Sequence, residues 1–204
     1  MSRSQKTHVT LVRHGETVWN KEFRLQGSQD IPLSEVGLAQ AEAVALHLKE
    51  EPFDVVYSSH LSRAHTTAEA LAKAVGVEHH VRESLMERSY GELEGWTRDE
   101  ILAKYPDFWG PGKKYPVPGL ETFEELAERA SKTIHEIVAE HEGRNVLIVS
   151  HGGTINAFLH SISGGEFGAG VNKLGNTSVT RVVWNEDGSW SVVEVGRTDH
   201  LPEE

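Results

Sequence analysis

The chain has 204 residues, a formal net charge of −11 and no cysteine. This length suits one domain with a core of ordinary size, so we predict a single domain over residues 1–204. The negative charge opposes binding to nucleic acid or to an anionic membrane, and a chain without cysteine has no disulfides, thiol nucleophiles or thiolate metal sites. The N-terminal stretch lacks the apolar core of a signal peptide, and no apolar run approaches the roughly 18 residues of a membrane helix. We therefore predict a cytoplasmic protein.

Two hydrophobic periods alternate along the chain. Short apolar runs predict buried strands at 8–12, 54–57 and 146–149. Between the first two strands, the periodicity predicts a helix with Ser34 as its N-cap and with Leu38, Ala41, Ala45 and Leu48 on one face.

The remaining segments continue this alternation. Helices are predicted at 63–75, 122–141 and 153–162, and a hairpin at 178–184 and 190–195. Thr122 and Glu125 have the spacing of a capping box. Strands that alternate with helices predict an α/β fold, with a mainly parallel sheet flanked by helices on both faces. Residues 109–119 are too rich in proline and glycine for regular structure, and we predict a short lid-like insertion at about 88–121.

Arginine, histidine and glycine follow the predicted strands. Arg13 and His14 end the first strand, Arg63 follows the second, and His151 and Gly152 follow the third. The carboxyl ends of parallel strands meet at one edge of a sheet, where ligands bind. Arginine offers paired donors to phosphate oxygens, and a neutral imidazole is a nucleophile near pH 7. The sequence therefore predicts phosphoryl transfer to and from a histidine.

Four segments carry a resemblance to a known family. LVRHGET at 11–17, SSHLSRAHTTAEAL at 58–71, ERSYGELEG at 87–95 and VSHGG at 149–153 resemble the histidine phosphatase superfamily, whose fold is phosphoglycerate mutase-like. The segments follow the family order and span nearly the whole chain. The resemblance implies that His14 is the nucleophile that becomes phosphohistidine. It also implies that Arg13, Arg63 and His151 hold the phosphoryl oxygens, and that Glu87 is first the general acid and then the base that activates water.

The same resemblance implies further contacts with the substrate. These are assigned to Asn20, Gln26, Gly27 and Gly152. Asn20 has a second interpretation, in which it only caps a turn.

Some neighbouring residues leave alternatives open. Glu87 is chosen by its place before Arg-x-Tyr-Gly, and the other carboxylates that could serve are Glu83, Glu92 and Glu94. Lys113 and Lys114 are either two solvated lysines or lid residues that bring a cation to an anionic substrate.

The predicted function is hydrolysis of a small phosphorylated metabolite, without a metal or a cofactor. A cofactor-dependent phosphoglycerate mutase is the alternative. Mutases of the family have a longer segment before the last histidine block than residues 88–150, which favours the phosphatase, whereas ERSYG resembles the mutases. A metal-dependent hydrolase is a weaker alternative because HExxH and HxH are missing, and an inactive module that binds a phosphorylated partner is another. A homo-oligomer is left open.

Overall fold

The computed structural model describes residues 6–106, 108 and 115–202. Among these residues the strands are β1 (Thr7–Arg13), β2 (Val55–Ser58), β3 (His79–Val81), β4 (Asn145–Ser150), β5 (Val179–Trp184) and β6 (Trp190–Arg197). They form one sheet in the order β3-β2-β4-β1-β5-β6. The first four in this order are parallel, and β5 and β6 are antiparallel to their neighbours. The prediction of a mainly parallel sheet is confirmed.

Helices cover both faces of this sheet. They are α1 (Val18–Lys21), α2 (Glu35–Leu48), α3 (Ser62–Val75), α4 (Arg98–Lys104), α5 (Phe123–Glu140) and α6 (Gly152–Ile162). Apolar residues of α5 and α6 pack on one face with β1, β2 and β4, and those of α2 and α3 pack on the other. Because β1, β2 and β4 are covered on both sides, their sequences are nearly continuous apolar runs. The longer helices and the strands other than β3 lie within a few residues of their predicted bounds.

Local signals at two helix starts are confirmed. The Ser34 side chain accepts a hydrogen bond from the Gly37 amide at the start of α2. Thr122 and Glu125 form a reciprocal capping box at the start of α5. These side chains satisfy backbone N–H groups that have no partner inside the helix, which fixes where each helix begins.

One predicted core position is wrong. Leu38 is 46% exposed, whereas Gly37, Ala41, Val44 and Leu48 are buried. The buried face of α2 is centred on these four residues, so Leu38 lies at its margin. A Cβ atom on Gly37 would overlap the backbone oxygen of Glu16, and this close approach turns the helix start toward the chain that follows β1.

Three short elements had no counterpart in the sequence prediction. They are α1, β3 and α4, which are too short to show a hydrophobic period. Residues 88–121 also hold a small apolar cluster of Leu93, Ile101 and Val117. The single domain with a lid-like insertion stays a prediction, and Lys113 and Lys114 lie outside the described residues. Over the described parts of the chain, no helix has the length and apolar character needed to cross a membrane.

Candidate active site

A pocket lies at the edge of the sheet where β1, β2 and β4 have their carboxyl ends. Since these strands are parallel neighbours, the residues that follow them meet at the same edge of the sheet. The pocket has a volume of about 150 Å³, and its lining includes Arg13, His14, Asn20, Arg24, Leu25, Gln26, Gly27, Arg63, Glu87 and Tyr90. It adjoins a larger cleft of about 1180 Å³, and the two share Arg13, Asn20, Arg24 and Leu25 in their walls.

His14 is buried at the end of β1 with its ring in a defined orientation. Its Nδ1 atom lies 2.6 Å from the carbonyl oxygen of Gly15. A carbonyl oxygen can only accept, so Nδ1 carries the proton and the lone pair of the neutral ring is on Nε2. Burial, followed by the charges of Arg13 and Arg63, holds the pKa of His14 well below its usual range. His14 is therefore neutral at pH 7, with Nε2 available as a nucleophile.

Two arginines, the buried Arg63 and the partly buried Arg13, lie beside this histidine. Arg63 is 0% exposed, and its terminal nitrogens donate to the carbonyl oxygens of Gln29 at 2.7 Å and Gly27 at 2.8 Å. Arg13 donates to the carbonyl oxygen of Leu174 at 2.6 Å. Burial lowers the pKa of Arg63 to about 10 and also lowers that of Arg13. Both guanidinium groups are charged at neutral pH, and the backbone carbonyls fix their orientation.

His151 follows β4 and lies beside His14, with 5.2 Å between the ring centroids. Its Nε2 atom is 2.7 Å from the Oγ atom of Ser59. Burial, followed by the charge of Arg63, lowers the pKa of His151 well below its usual range. Within the described residues, its Nδ1 atom and the Nε atoms of Arg13 and Arg63 are buried without a hydrogen-bond partner. A buried polar nitrogen without a partner is costly, so these three atoms are candidates to contact an anionic ligand.

Glu87 lies against the N-terminus of α6. Its carboxylate oxygens accept hydrogen bonds from the backbone amides of Gly153 and Thr154, each at 3.1 Å, and from the Thr154 hydroxyl at 3.3 Å. A Cβ atom on Gly153 would lie 2.5 Å from the carboxylate, so a larger residue there would displace the Glu87 side chain. Helix N-termini favour negative charge, and this one holds the carboxylate at the pocket wall.

The alternative carboxylates have other positions. Glu94 accepts hydrogen bonds from the amide and hydroxyl of Ser28 and so supports the loop around Gly27. Glu83 begins a one-turn 3₁₀ helix at Glu83–Leu85, and Glu92 is exposed. Of the four candidates, Glu87 is the one in the pocket wall with His14.

The residues that the resemblance implies as substrate contacts lie at this pocket or next to His151. Asn20 forms a capping box with Thr17 at the start of α1 and also lines the pocket, and its contact with a substrate stays a prediction. Gln26 accepts a hydrogen bond from the Thr17 hydroxyl at 2.8 Å. Gly27 has φ of 54°, which favours glycine, and Gly152 is the first residue of α6.

Several residues at the site were not predicted as parts of it. They are Arg24, Ser59, Tyr90, Gly153 and Asn176. The Asn176 side chain donates to the carbonyl oxygen of His14 at 3.1 Å, a contact between distant parts of the chain that no local pattern could reveal. Burial, followed by the negative charge of Glu87, raises the pKa of Tyr90 to about 12, so its phenol is neutral. Tyr90 lies within the ERSYGELEG segment and Arg24 lies just before Gln26, so both are close to predicted positions. Over the same described residues, no cluster of three or more His, Asp or Glu side chains is arranged to hold a metal ion.

The fold and the pocket define a class: an α/β protein in which a neutral histidine and two arginines lie together at the edge of a parallel sheet. The model of the histidine phosphatase superfamily (branch 1) matches residues 9–198. The chain belongs to this family.

Curated relatives cover nearly the full chain. The metal-independent phosphoserine phosphatase of Arabidopsis thaliana is 37% identical over 205 residues, which is 97% of this chain and 84% of that protein. The uncharacterized phosphatase PhoE of Bacillus subtilis is 33% identical over 195 residues, covering 96% and 97% of the two chains. A probable phosphoglycerate mutase, GpmB of Escherichia fergusonii, is 34% identical over 204 residues, covering 95% and 94%.

Solved structures agree with this fold. A mutant phosphoserine phosphatase from Entamoeba histolytica, in complex with phosphoserine, has a TM-score of 0.83 at 29% identity and covers 96% of this chain and 100% of its own. A protein described as mycobacterial hydrolase 1 has a TM-score of 0.87 at 28% identity, with coverage of 95% and 99%. Together the relatives support a small-molecule phosphatase, with a phosphoglycerate mutase as the alternative.

Proposed function

We propose that the protein hydrolyses a small phosphorylated metabolite through a phosphohistidine intermediate on His14, without a metal ion. The observation that carries the proposal is the set of buried nitrogens of Arg13, Arg63 and His151 that have no hydrogen-bond partner within the described residues beside a neutral His14. Such a site gains hydrogen bonds and charge neutralisation when a phosphoryl group enters it.

In the first step, the lone pair on His14 Nε2 attacks phosphorus and the bond between phosphorus and the ester oxygen breaks. The leaving oxygen takes a proton from Glu87, which gives the free alcohol and phosphohistidine. The transferring phosphoryl group spreads negative charge over its equatorial oxygens, and Arg13, Arg63 and His151 stabilise that charge.

In the second step, Glu87 takes a proton from water while the water oxygen attacks phosphorus. The bond between phosphorus and Nε2 breaks, and its electron pair returns to His14. Phosphate leaves, and Glu87 is again protonated for the next turnover. The larger cleft next to the pocket gives the leaving group space on the side of Arg24 and Asn20.

The phosphatase is preferred to the mutase because a mutase must return the phosphoryl group to a reoriented acceptor and keep water away from it. The segment of residues 88–150 is short for a mutase of the family. The ERSYG motif and the GpmB relative keep the mutase as a second candidate. A panel of monoesters that includes phosphoserine and 3-phosphoglycerate, assayed for released phosphate and for isomerised product, separates the two. We expect phosphate release that is unchanged by a chelator.

The intermediate provides the direct test. Brief incubation with a labelled phosphomonoester should leave an acid-labile, alkali-stable label on the protein. His14→Ala should lose both the label and the turnover, and the exposed His8→Ala serves as the control. Appreciable turnover by His14→Ala would refute the mechanism.

A further inference from the structure

We propose that Ser59 is a positioning residue that sets the tautomer of His151, so that His151 presents an N–H group to the phosphoryl oxygens. This inference rests on the proposed function. Ser59 is 0% exposed, and its hydroxyl Oγ lies 2.7 Å from His151 Nε2, within hydrogen-bond distance. In sequence, Ser59 directly follows Ser58, the last residue of β2, and carries no catalytic signature of its own.

The argument begins with the number of protons on the ring. Burial and nearby positive charge keep the pKa of His151 well below its usual range, so the ring is neutral and carries one N–H group. If that proton were on Nε2, it would point at Ser59, and the lone pair of Nδ1 would face an incoming anion. If the Ser59 hydroxyl donates to Nε2, the proton is on Nδ1 and can be donated to a phosphoryl oxygen.

The Ser59 hydroxyl can donate the hydrogen bond to His151 Nε2 because a serine hydroxyl carries one O–H donor. Nδ1 is buried and has no protein partner among the residues that are described, so it is the nitrogen left for the ligand. An alanine at position 59 would leave the Nε2 lone pair buried without a donor, which disfavours the tautomer that serves the anion. A hydrogen bond at one ring nitrogen commonly determines which form the other nitrogen takes.

The fold holds Ser59 in this place. Strands β2 and β4 are parallel, with Ser58 paired to Val149, so the residues that follow each strand lie side by side. The Ser58 hydroxyl donates to the carbonyl oxygen of Ser59 at 2.8 Å and lies 2.8 Å from His79 Nε2. The backbone of Ser59 is thus tied on one side, while its side chain is directed to His151.

The test compares Ser59→Ala with Ser59→Thr, which keeps a hydroxyl, and with Thr7→Val, which removes a buried hydroxyl at the opposite end of the sheet. We expect kcat/KM for a phosphomonoester to fall about 10- to 100-fold in Ser59→Ala, from the loss of one buried hydrogen bond. Ser59→Thr should recover much of this loss, and Thr7→Val should change kcat/KM less than threefold, roughly the scale of a minor packing effect.

A spectroscopic readout separates tautomer control from general damage. In ¹⁵N-histidine-labelled protein with inorganic phosphate bound, His151 should show a protonated Nδ1 and an unprotonated Nε2, and His151→Gln assigns the signals. In Ser59→Ala, the Nδ1-protonated form should decrease. A wild-type His151 protonated on Nε2, or a Ser59→Ala protein with the same tautomer and the same kcat/KM as wild type, would overturn the proposal. Because the spectrum uses phosphate rather than turnover, it can support or refute the role of Ser59 even if the protein hydrolyses no tested ester, a result that would count against the proposed function alone.

Discussion

Replacing Glu87 by glutamine tests whether Glu87 is the general acid. The change removes the transferable proton, and it also alters the hydrogen bonds of this side chain. Each carboxylate oxygen of Glu87 faces a backbone N–H, one from Gly153 and one from Thr154. A glutamine has only one oxygen, so one of these N–H groups would face an NH₂ group. We therefore expect Glu87→Gln to lower the free energy of unfolding by about 1–3 kcal/mol, the usual cost of a buried group without a partner. Urea unfolding of Glu87→Gln and of the wild-type protein measures this difference in the free energy of unfolding.

The catalytic effect should depend on the leaving group. An alkoxide from a sugar or glycerate is a strong base and needs the proton, so kcat/KM for alkyl phosphates should fall about 10²- to 10⁴-fold in Glu87→Gln. A nitrophenolate is less basic than a tyrosine phenolate, whose conjugate acid has a pKa of about 10, and leaves with little help. The loss of kcat/KM on p-nitrophenyl phosphate should be much smaller. The comparison uses kcat/KM because dephosphorylation would slow for both substrates.

Thr154→Val is the matched control for Glu87→Gln. It removes the hydroxyl that donates to Glu87 at 3.3 Å and to the carbonyl oxygen of Met86 at 2.7 Å, but it leaves the carboxylate in place. It should lower stability without a difference between the two kinds of substrate. An equal fall in kcat/KM for alkyl and nitrophenyl esters in Glu87→Gln would show that Glu87 is not the acid.

Three further predictions concern Arg13, the packing of Gly37 against Glu16, and the pH dependence of phosphoenzyme formation and of stability. Arg13→Lys keeps the charge but loses the paired donors, so kcat/KM should fall about tenfold or more, and an unchanged value would remove Arg13 from the site. Gly37→Ala should cost about 1–3 kcal/mol in urea unfolding and lower kcat, because its Cβ meets the backbone of Glu16, two residues after His14. Gly76→Ala, which has positive φ but open space, should cost stability alone. Because the pKa of His14 is held below its ordinary value of 6.5, phosphoenzyme formation should not lose its nucleophile between pH 7 and about 6. Over the same range the free energy of unfolding should fall as pH falls, since only the unfolded chain takes up that proton, and a rise would contradict the assignment.

The sequence predicts what local patterns encode. Strands β1 and β4 are apolar runs, and each is followed by a histidine. This pattern alone places His14 and His151 at the edge of the sheet. The capping residue Ser34 can also be recognised from sequence, because its hydrogen bond spans only three residues.

Other features depend on contacts between distant segments. Ser59 is 92 residues from His151, and Asn176 is 162 residues from His14, so neither partner could be inferred from spacing. The core position predicted for Leu38 is wrong because periodicity alone does not give the rotation of a helix. The contact of Gly37 with Glu16, which helps to set that rotation, is itself a tertiary interaction.

A last prediction concerns how an anion bound near Arg13 and Arg63 changes the free energy of unfolding. Arg13 and Arg63 are charged groups with little access to water, and burial lowers the pKa of both. Holding their charge therefore destabilises the folded state when no anion is bound. An anion that binds there offsets this cost in the folded state only. Phosphate or vanadate at about 100 times its dissociation constant should therefore add about 2.7 kcal/mol to the free energy of unfolding. For a chain of this length, that corresponds to an increase in Tm of about 5–10 °C. Thermal unfolding with chloride at matched ionic strength provides the control, because general screening would act equally with each salt. Arg63→Ala should lose most of the increase, since it removes one of the two charges. An equal increase in Arg63→Ala and wild type would place the bound anion elsewhere on the protein.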